Sequence, residues 1–329
     1  ISKRLKNEIK SKISETVSET YIAKETNVSV HTVRRIIDDT ARLLTIKPLH
    51  DLPEHLCFDE FKSVKSSDSN MSFIICDSTT HKLVDVVRDR KSYSLKQYFY
   101  RFEPKTRLKV KTISIDMYLP YIQLIKEMFL NAKIIIDPFH IVQALNRELN
   151  RTRVRVMNQH RYKNPKLYRK LKHYWKLILK NPNELQNYKY NRYKLFESFM
   201  TTQGIVDYIL ENNPSLKHDY EVVHSLRECI QDRDYIEFKE TIEAATQLDL
   251  SPGLKRVLKT LMTYLPYIQN TCEYPTRTNG PIEGINNKIK VLKRNAYGFR
   301  NYYHFRNRII LITKMFGPKQ KGIKQQLVA

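Results

Sequence analysis

Val110 to Asp137 reads VKTISIDMYLPYIQLIKEMFLNAKIIID. Two runs of branched apolar residues, VKTISID and KIIID, each close on an aspartate. Between them LPYIQLIKEMFL repeats its apolar residues at helical spacing, with Pro120 in the first turn. Strand, helix, strand in so short a stretch is a crossover unit, and it places its two strands in one sheet.

Working outward, HLCFDEF, MSFIICDS and KLVDVVRD upstream are short runs of branched and aromatic residues bounded by polar turns, which predicts a three-stranded meander. A helix is expected at Ser94–Phe102, and PFHIVQALNRELNRTRVRV downstream of Asp137 is a long helix. A meander that feeds crossovers gives an α/β fold, a mixed sheet with flanking helices. The order of elements is that of the ribonuclease H-like fold.

From about residue 160 to 272 only helical periodicity stands out, which reads as an all-helical insertion. Its first part, HRYKNPKLYRKLKHYWKLILK, has no acidic residue and suits a phosphate backbone; Tyr174, Trp175, Leu177 and Ile178 within it read as core. The expected organisation is a DNA-binding domain at 1–45, a first part of the core at 46–160, the insertion at 161–270, and the rest of the core with a tail at 271–329. TIKPLHDLPEH is the linker after the first domain, and GPKQKGIKQQLVA is the tail.

The 329 residues carry a net charge of +24, spread along the chain rather than gathered in a tail. Charge on that scale attracts polyanions, so double-stranded DNA is the leading partner and an anionic membrane surface a distant second. No apolar run approaches a membrane span. Cys57, Cys76, Cys229 and Cys272 form no C-x-x-C pair and read as reduced thiols of a cytoplasmic protein.

Residues 12–37, KISETVSETYIAKETNVSVHTVRRII, read as two short helices around a turn. Ile22 and Ala23 face inward from the first. Asn27 suits the left-handed turn, and Ser29 caps a second helix whose Val33, Ile36 and Ile37 face inward. His31, Thr32, Arg34 and Arg35 remain on its outer surface, the layout of a helix-turn-helix that enters a major groove.

For chemistry, Asp59 lies in the first strand and Asp116 ends the fourth. In a ribonuclease H-like sheet these strands are parallel neighbours, so the two carboxylates meet near the strand ends. Each alone serves equally well as a turn or helix cap. Together in a basic chain they call for a hard cation, Mg²⁺ or Mn²⁺. A third carboxylate would complete a site for in-line displacement at phosphorus. Glu283 is the candidate, near the start of GPIEGINNKIKVLKR. Ile282, Ile285, Ile289 and Leu292 form the apolar stripe of that helix, while Glu283, Asn286, Asn287 and Lys290 share another face. A first-turn Glu is also favoured by the helix dipole alone, so the pattern leaves both readings open. Glu60 points to the opposite face of its strand from Asp59.

Three stretches resemble the DDE-type transposases of bacterial insertion sequences, most closely the ISL-three group. LPEHLCFDEFKS resembles the first-Asp strand, and ISIDMYLPYIQLIKEMFLNAKIIIDPFHIVQALN the second-Asp block. RTNGPIEGINNKIKVLKRNAYGFRNYYHFRNRII resembles the Glu helix. The likeness runs from about residue 10 to 316, and Gly-x-x-Glu-Gly-x-Asn-Asn-x-Ile-Lys is too long to be a chance motif. It implies that Asp59, Asp116 and Glu283 are the catalytic triad holding two divalent ions. It also implies DNA cleavage by water and strand transfer by a 3′-hydroxyl, without a covalent enzyme intermediate.

Asp137 and His140 match a supporting (Cys/Asp)-x-x-His feature. Asn286, Asn287, Lys290, Lys293 and Arg294 then read as the DNA-facing side of the active-site helix, and a homodimer is expected because two ends are joined. Family members carry a cysteine-rich zinc-binding segment ahead of the helix-turn-helix. The sequence opens at Ile1 without one, so missing upstream sequence or a decayed copy is expected. The competing readings are a DNA-binding regulator with an inert nuclease-like domain and a structure-specific nuclease.

Overall fold

A computed structural model describes residues 1–45, 51–64 and 69–313. Residues 46–50 of the expected linker and the whole expected tail therefore lie outside the described residues. The chain forms two units, residues 1–135 with 276–329, and residues 136–275. Among the described residues no helix is long and apolar enough to cross a membrane.

The first unit opens with α1 (Lys3–Ile13), α2 (Glu19–Glu25) and α3 (Val30–Thr45). Ser18 Oγ accepts from Tyr21 N at 3.1 Å and Ser29 Oγ from Thr32 N at 3.2 Å, so hydroxyls satisfy the free donors at both helix starts. Asn27 takes φ 50° in the turn between α2 and α3. Ile9, Ile13, Ile22, Ala23, Val33, Ile36 and Ile37 form one buried cluster. Helix α1 was not expected, because KRLKNEIKSKI shows only Leu5, Ile9 and Ile13 as a thin apolar stripe.

The sheet begins with β1 (His55–Lys62), β2 (Met71–Asp77) and β3 (Leu83–Val87), then α4 (Ser92–Tyr100), α5 (Pro104–Leu108), β4 (Thr112–Ile115), α6 (Leu119–Met128) and β5 (Lys133–Ile136). Helix α4 starts two residues before the expected Ser94. Strand order is β3-β2-β1-β4-β5, with β1–β2 and β2–β3 antiparallel and β1–β4 parallel, so the sheet is mixed. Alternation along β1 sends Phe58 to one face, where it packs on Phe73 at 5.0 Å and Phe99 at 5.5 Å between ring centroids. Cys57 and Phe61 go to the other face.

The second unit is helical: α7 (Pro138–Lys163), α8 (Pro165–His173), α9 (Trp175–Leu179), α10 (Thr202–Glu211), α11 (Pro214–Asp232), α12 (Tyr235–Ala245) and α13 (Pro252–Glu273). Pro138, Pro165, Pro214 and Pro252 each sit in a first turn, where the missing N–H costs nothing. A two-residue ladder, β6 (Asn191–Arg192) with β7 (Phe199–Met200), is the one departure from the all-helical reading among its described residues. Tyr174 and Ile178 are buried as expected, whereas Trp175 is 38% exposed and is not core. Asp219, fully buried, takes Thr152 Oγ1 at 2.7 Å and Ser251 N at 2.9 Å, a closed polar node among the long helices.

The chain returns to the first unit with α14 (Gly280–Asn295) and α15 (Tyr302–Ile312). Ile282, Ile285, Ile289 and Leu292 of α14 join Cys57, Phe61, Ile74 and Cys76 of the sheet in one buried cluster, each apolar side chain worth about 2 kcal/mol. Helix α15 reaches the N-terminal helices through Arg308. This side chain is fully buried, and its Nη1 donates to Ile13 O at 2.6 Å and its Nη2 to Glu15 O at 3.1 Å and Val17 O at 2.8 Å. A planar, pre-organised fork of donors suits carbonyls spread over residues 13 to 17 better than a compact ammonium does.

Candidate active site

The site grows from the pairing of β1 with β4. Their register sets Leu56 beside Ile113 and Cys57 beside Ser114. Carried two residues further, the same register brings Asp59 alongside Asp116, just past the end of β4. Asp59 is on the α14 side of the sheet. Its Oδ1 accepts from Glu60 N at 2.7 Å and its Oδ2 from Asn286 Nδ2 at 2.7 Å. Glu60 sits on the opposite face, bound to Arg90 Nη1 at 2.5 Å and to Tyr121 Oη at 3.1 Å. Its hydrogen bond raises the Arg90 pKa, and burial first, then Glu60, pushes the Tyr121 phenol up. Glu60 is thus neutralised on its own face.

Asn279 immediately precedes α14. Its Nδ2 donates to Asp116 Oδ1 at 3.1 Å and to Phe58 O at 3.3 Å, tying the middle of β1 and the residue after β4 to the start of the helix. Next to it, Cys57 Sγ donates to Thr278 O at 3.3 Å. Sequence reasoning missed Asn279, since Asn before Gly-Pro reads as an ordinary helix cap. Glu283 is exposed one turn into α14. Among the described residues, the oxygens of Asp59, Asp116 and Glu283 do not all come within 4.8 Å of one another. Two of the three carboxylates are held by amides.

The expected DNA-facing residues of α14 divide. Asn287, Lys290 and Arg294 are exposed. Asn286 is only 8% exposed and is turned onto Asp59, so it does not face outward as expected. Lys293 bends back to Lys62 O at 2.9 Å and Ser63 O at 3.0 Å, and burial, with Lys62 nearby, lowers its pKa. Both read as DNA-facing from their place beside Glu283 and from the resemblance, neither of which shows how α14 lies on the sheet.

On α3, His31, Arg34 and Arg35 are exposed and Thr32 is half-buried. Arg34 is tied to Glu19 Oε2 at 3.0 Å, and Glu19 also takes His304 Nε2 at 2.5 Å. Burial raises the Glu19 pKa, but His304 and Arg34 overcome it and hold the carboxyl below its ordinary value. In the second unit, Asp137 caps α7 by accepting from Phe139 N at 3.1 Å, and His140 lies in the first turn of that helix.

Comparison with known proteins settles the lineage. The family model described as Transposase, of the DDE ISL3 class, matches residues 56–309. This chain belongs to that transposase family. A transposase for insertion sequence element IS1001 from Bordetella parapertussis is 27% identical over 286 residues, 86% of this chain and 67% of that one. A protein of Lactococcus lactis subsp. lactis named ATP-dependent protease is 36% identical over 130 residues, 40% of each chain. The sequence holds no G-x-x-x-x-G-K-[ST] phosphate loop.

Members of this transposase family generally use a divalent metal. Oxygen donors are present there: the carboxylates of Asp59 and Asp116, and two buried amide oxygens, Asn279 Oδ1 and Asn286 Oδ1, that have no hydrogen-bond partner among the described residues. All are hard oxygen donors of the kind Mg²⁺ and Mn²⁺ select.

Proposed function

We propose that the chain is a metal-dependent DNA transposase that cuts and joins the ends of an insertion sequence. The observation that supports this reading is the β1–β4 register, which pairs Cys57 with Ser114 two residues before each aspartate, together with the hydrogen bond to Asp59 from Asn286 on the helix that bears Glu283. In this reading the mixed sheet is a ribonuclease H-like core, split between 46–160 and 271–329 by a helical insertion. Residues 1–45 form a helix-turn-helix that reads the element ends through His31, Thr32, Arg34 and Arg35.

Asp59, Asp116 and Glu283 would hold Mg²⁺ or Mn²⁺, which when bound offsets the charge that develops on the phosphoryl oxygens. Asn287, Lys290 and Arg294, exposed on α14, supply amide and cationic contacts to the phosphate backbone. Asp137 and His140 support the site, the active form is a homodimer on double-stranded DNA, and the protein works in the cytoplasm on the nucleoid.

The test uses labelled element-end DNA with the full chain. Asp59→Asn, Asp116→Asn and Glu283→Gln each abolish Mg²⁺-dependent nicking while end binding, followed by gel shift, survives. Retained nicking in any of the three overturns the site assignment. A pre-cleaved end with a free 3′-hydroxyl is joined to a target plasmid by a transposase and left unjoined by a structure-specific nuclease.

A further inference from the structure

Asn279 stands where α14 starts, the position at which an Asn side chain most often caps a helix, yet it makes no cap hydrogen bond. Its amide N–H instead reaches back to Asp116 and to the carbonyl of Phe58. Asn286, two turns further on, does the same for Asp59. Each amide therefore serves one strand aspartate, and both come from the helix that carries Glu283.

The second observation concerns the other end of each amide. Asn279 is 2% and Asn286 8% exposed, and neither Oδ1 has a hydrogen-bond partner among the described residues. An asparagine kept only for packing satisfies both ends, because a half-satisfied buried amide costs stability without return. Here the donor end is fixed on a carboxylate, so the acceptor end is aimed by it.

We propose that Asn279 and Asn286 are positioning residues of the active site, each holding one aspartate by its N–H and presenting its carbonyl oxygen to the water ligands of the bound cation. This rests on the reading of Asp59 and Asp116 as metal ligands. A neutral amide suits the task. It orients a carboxylate with a partial positive charge and leaves the full negative charge for the metal, which an arginine or lysine would cancel. A hydrated divalent ion brings the O–H donors that the two carbonyls lack. Asn279 also sets spacing, since one amide bonds the carbonyl of Phe58, next to Asp59, and Asp116, and so fixes how far apart the aspartates stand.

The experiment is a Mn²⁺ titration of the full chain, read by the electron paramagnetic resonance of free Mn²⁺, with no DNA present. Asn279→Ala and Asn286→Ala are compared with Asp59→Asn, and urea midpoints in the absence of metal report folding. Mn²⁺ affinity falls about tenfold or more in each Asn variant, as for other groups that orient metal ligands. It disappears in Asp59→Asn. The Mg²⁺ concentration for half-maximal nicking rises in parallel. Unchanged affinity in the Asn variants, with binding lost in Asp59→Asn, overturns the positioning role alone. Full affinity in Asp59→Asn overturns the metal-ligand reading beneath it. Should Asn279→Ala fail to fold, Asn286→Ala decides.

Discussion

Acid should loosen the helical unit through one histidine. His224 lies 7% exposed on α11, its ring 4.2 Å from that of Tyr220. Arg227 Nη1 donates to Nδ1 at 3.1 Å, which leaves the proton on Nε2, and Nε2–H donates to Ile178 O at 3.0 Å. Burial first, and the Arg227 charge after it, press the pKa from 6.5 down to about 4 against the opposing pull of the Ile178 carbonyl. The unfolded chain therefore binds a proton that the folded one refuses between those values.

The histidine's contribution is complete above pH 6.5 and is lost as the pH falls toward 4. Across the whole window the loss is roughly 3 kcal/mol, and by pH 5 it is already about 2 kcal/mol. For a unit of this size that lowers the melting temperature by about 6 °C. Trp175 is the chain's single tryptophan, and it begins α9, the helix that supplies the Ile178 carbonyl. Its fluorescence during urea unfolding reports this unit. His224→Gln keeps a donor toward Ile178 but cannot titrate, so its stability should change less between pH 6.5 and 5, by about 2 kcal/mol. Equal pH slopes for the two proteins refute the reasoning.

Arg308→Leu leaves the carbonyls of Ile13, Glu15 and Val17 buried without their charged donor. About 3–4 kcal/mol should be lost, with faster protease cleavage at residues 14–18. Arg308→Lys should recover only part of this, and a fully stable leucine variant would show that the contact is dispensable. For a chain of net charge +24, DNA affinity should fall steeply with salt, and replacing Lys290 should reduce the log–log slope by about one; a flat response in fluorescence anisotropy contradicts phosphate binding.

The strands were legible because alternation along β1 and the apolar runs of β4 and β5 leave few other choices for those residues. Asp59 and Asp116 could be paired on paper because strand register has a fixed step. Helix period told which side of α14 is apolar, yet it could not say that Asn286 meets Asp59 on β1 while Asn287 meets solvent. One residue separates the two, and the way α14 lies across β1 decides between them. Trp175 was misplaced for a related reason: an aromatic among lysines looks like core until the short helix α9 turns it outward. Helix α1 and the β6–β7 ladder carried too little pattern, three apolar residues and two paired residues per strand. Asn279 was visible but ambiguous, because the residue type that caps helices is also the one that can grip a carboxylate.

Arg308 also imposes an order in time. A ribosome makes the N-terminal helices first, then β1 to β5, then the whole helical unit, and only afterwards α14 and α15. Until Arg308 emerges, the carbonyls of residues 13, 15 and 17 have no internal donor from α15, and Asp59 waits for Asn286. A chain stopped anywhere before residue 279 therefore lacks at once the amides that bond both aspartates, Glu283 and the contact of Arg308 with residues 13, 15 and 17. Unfinished copies lack these contacts because the residues that make them come late in the chain.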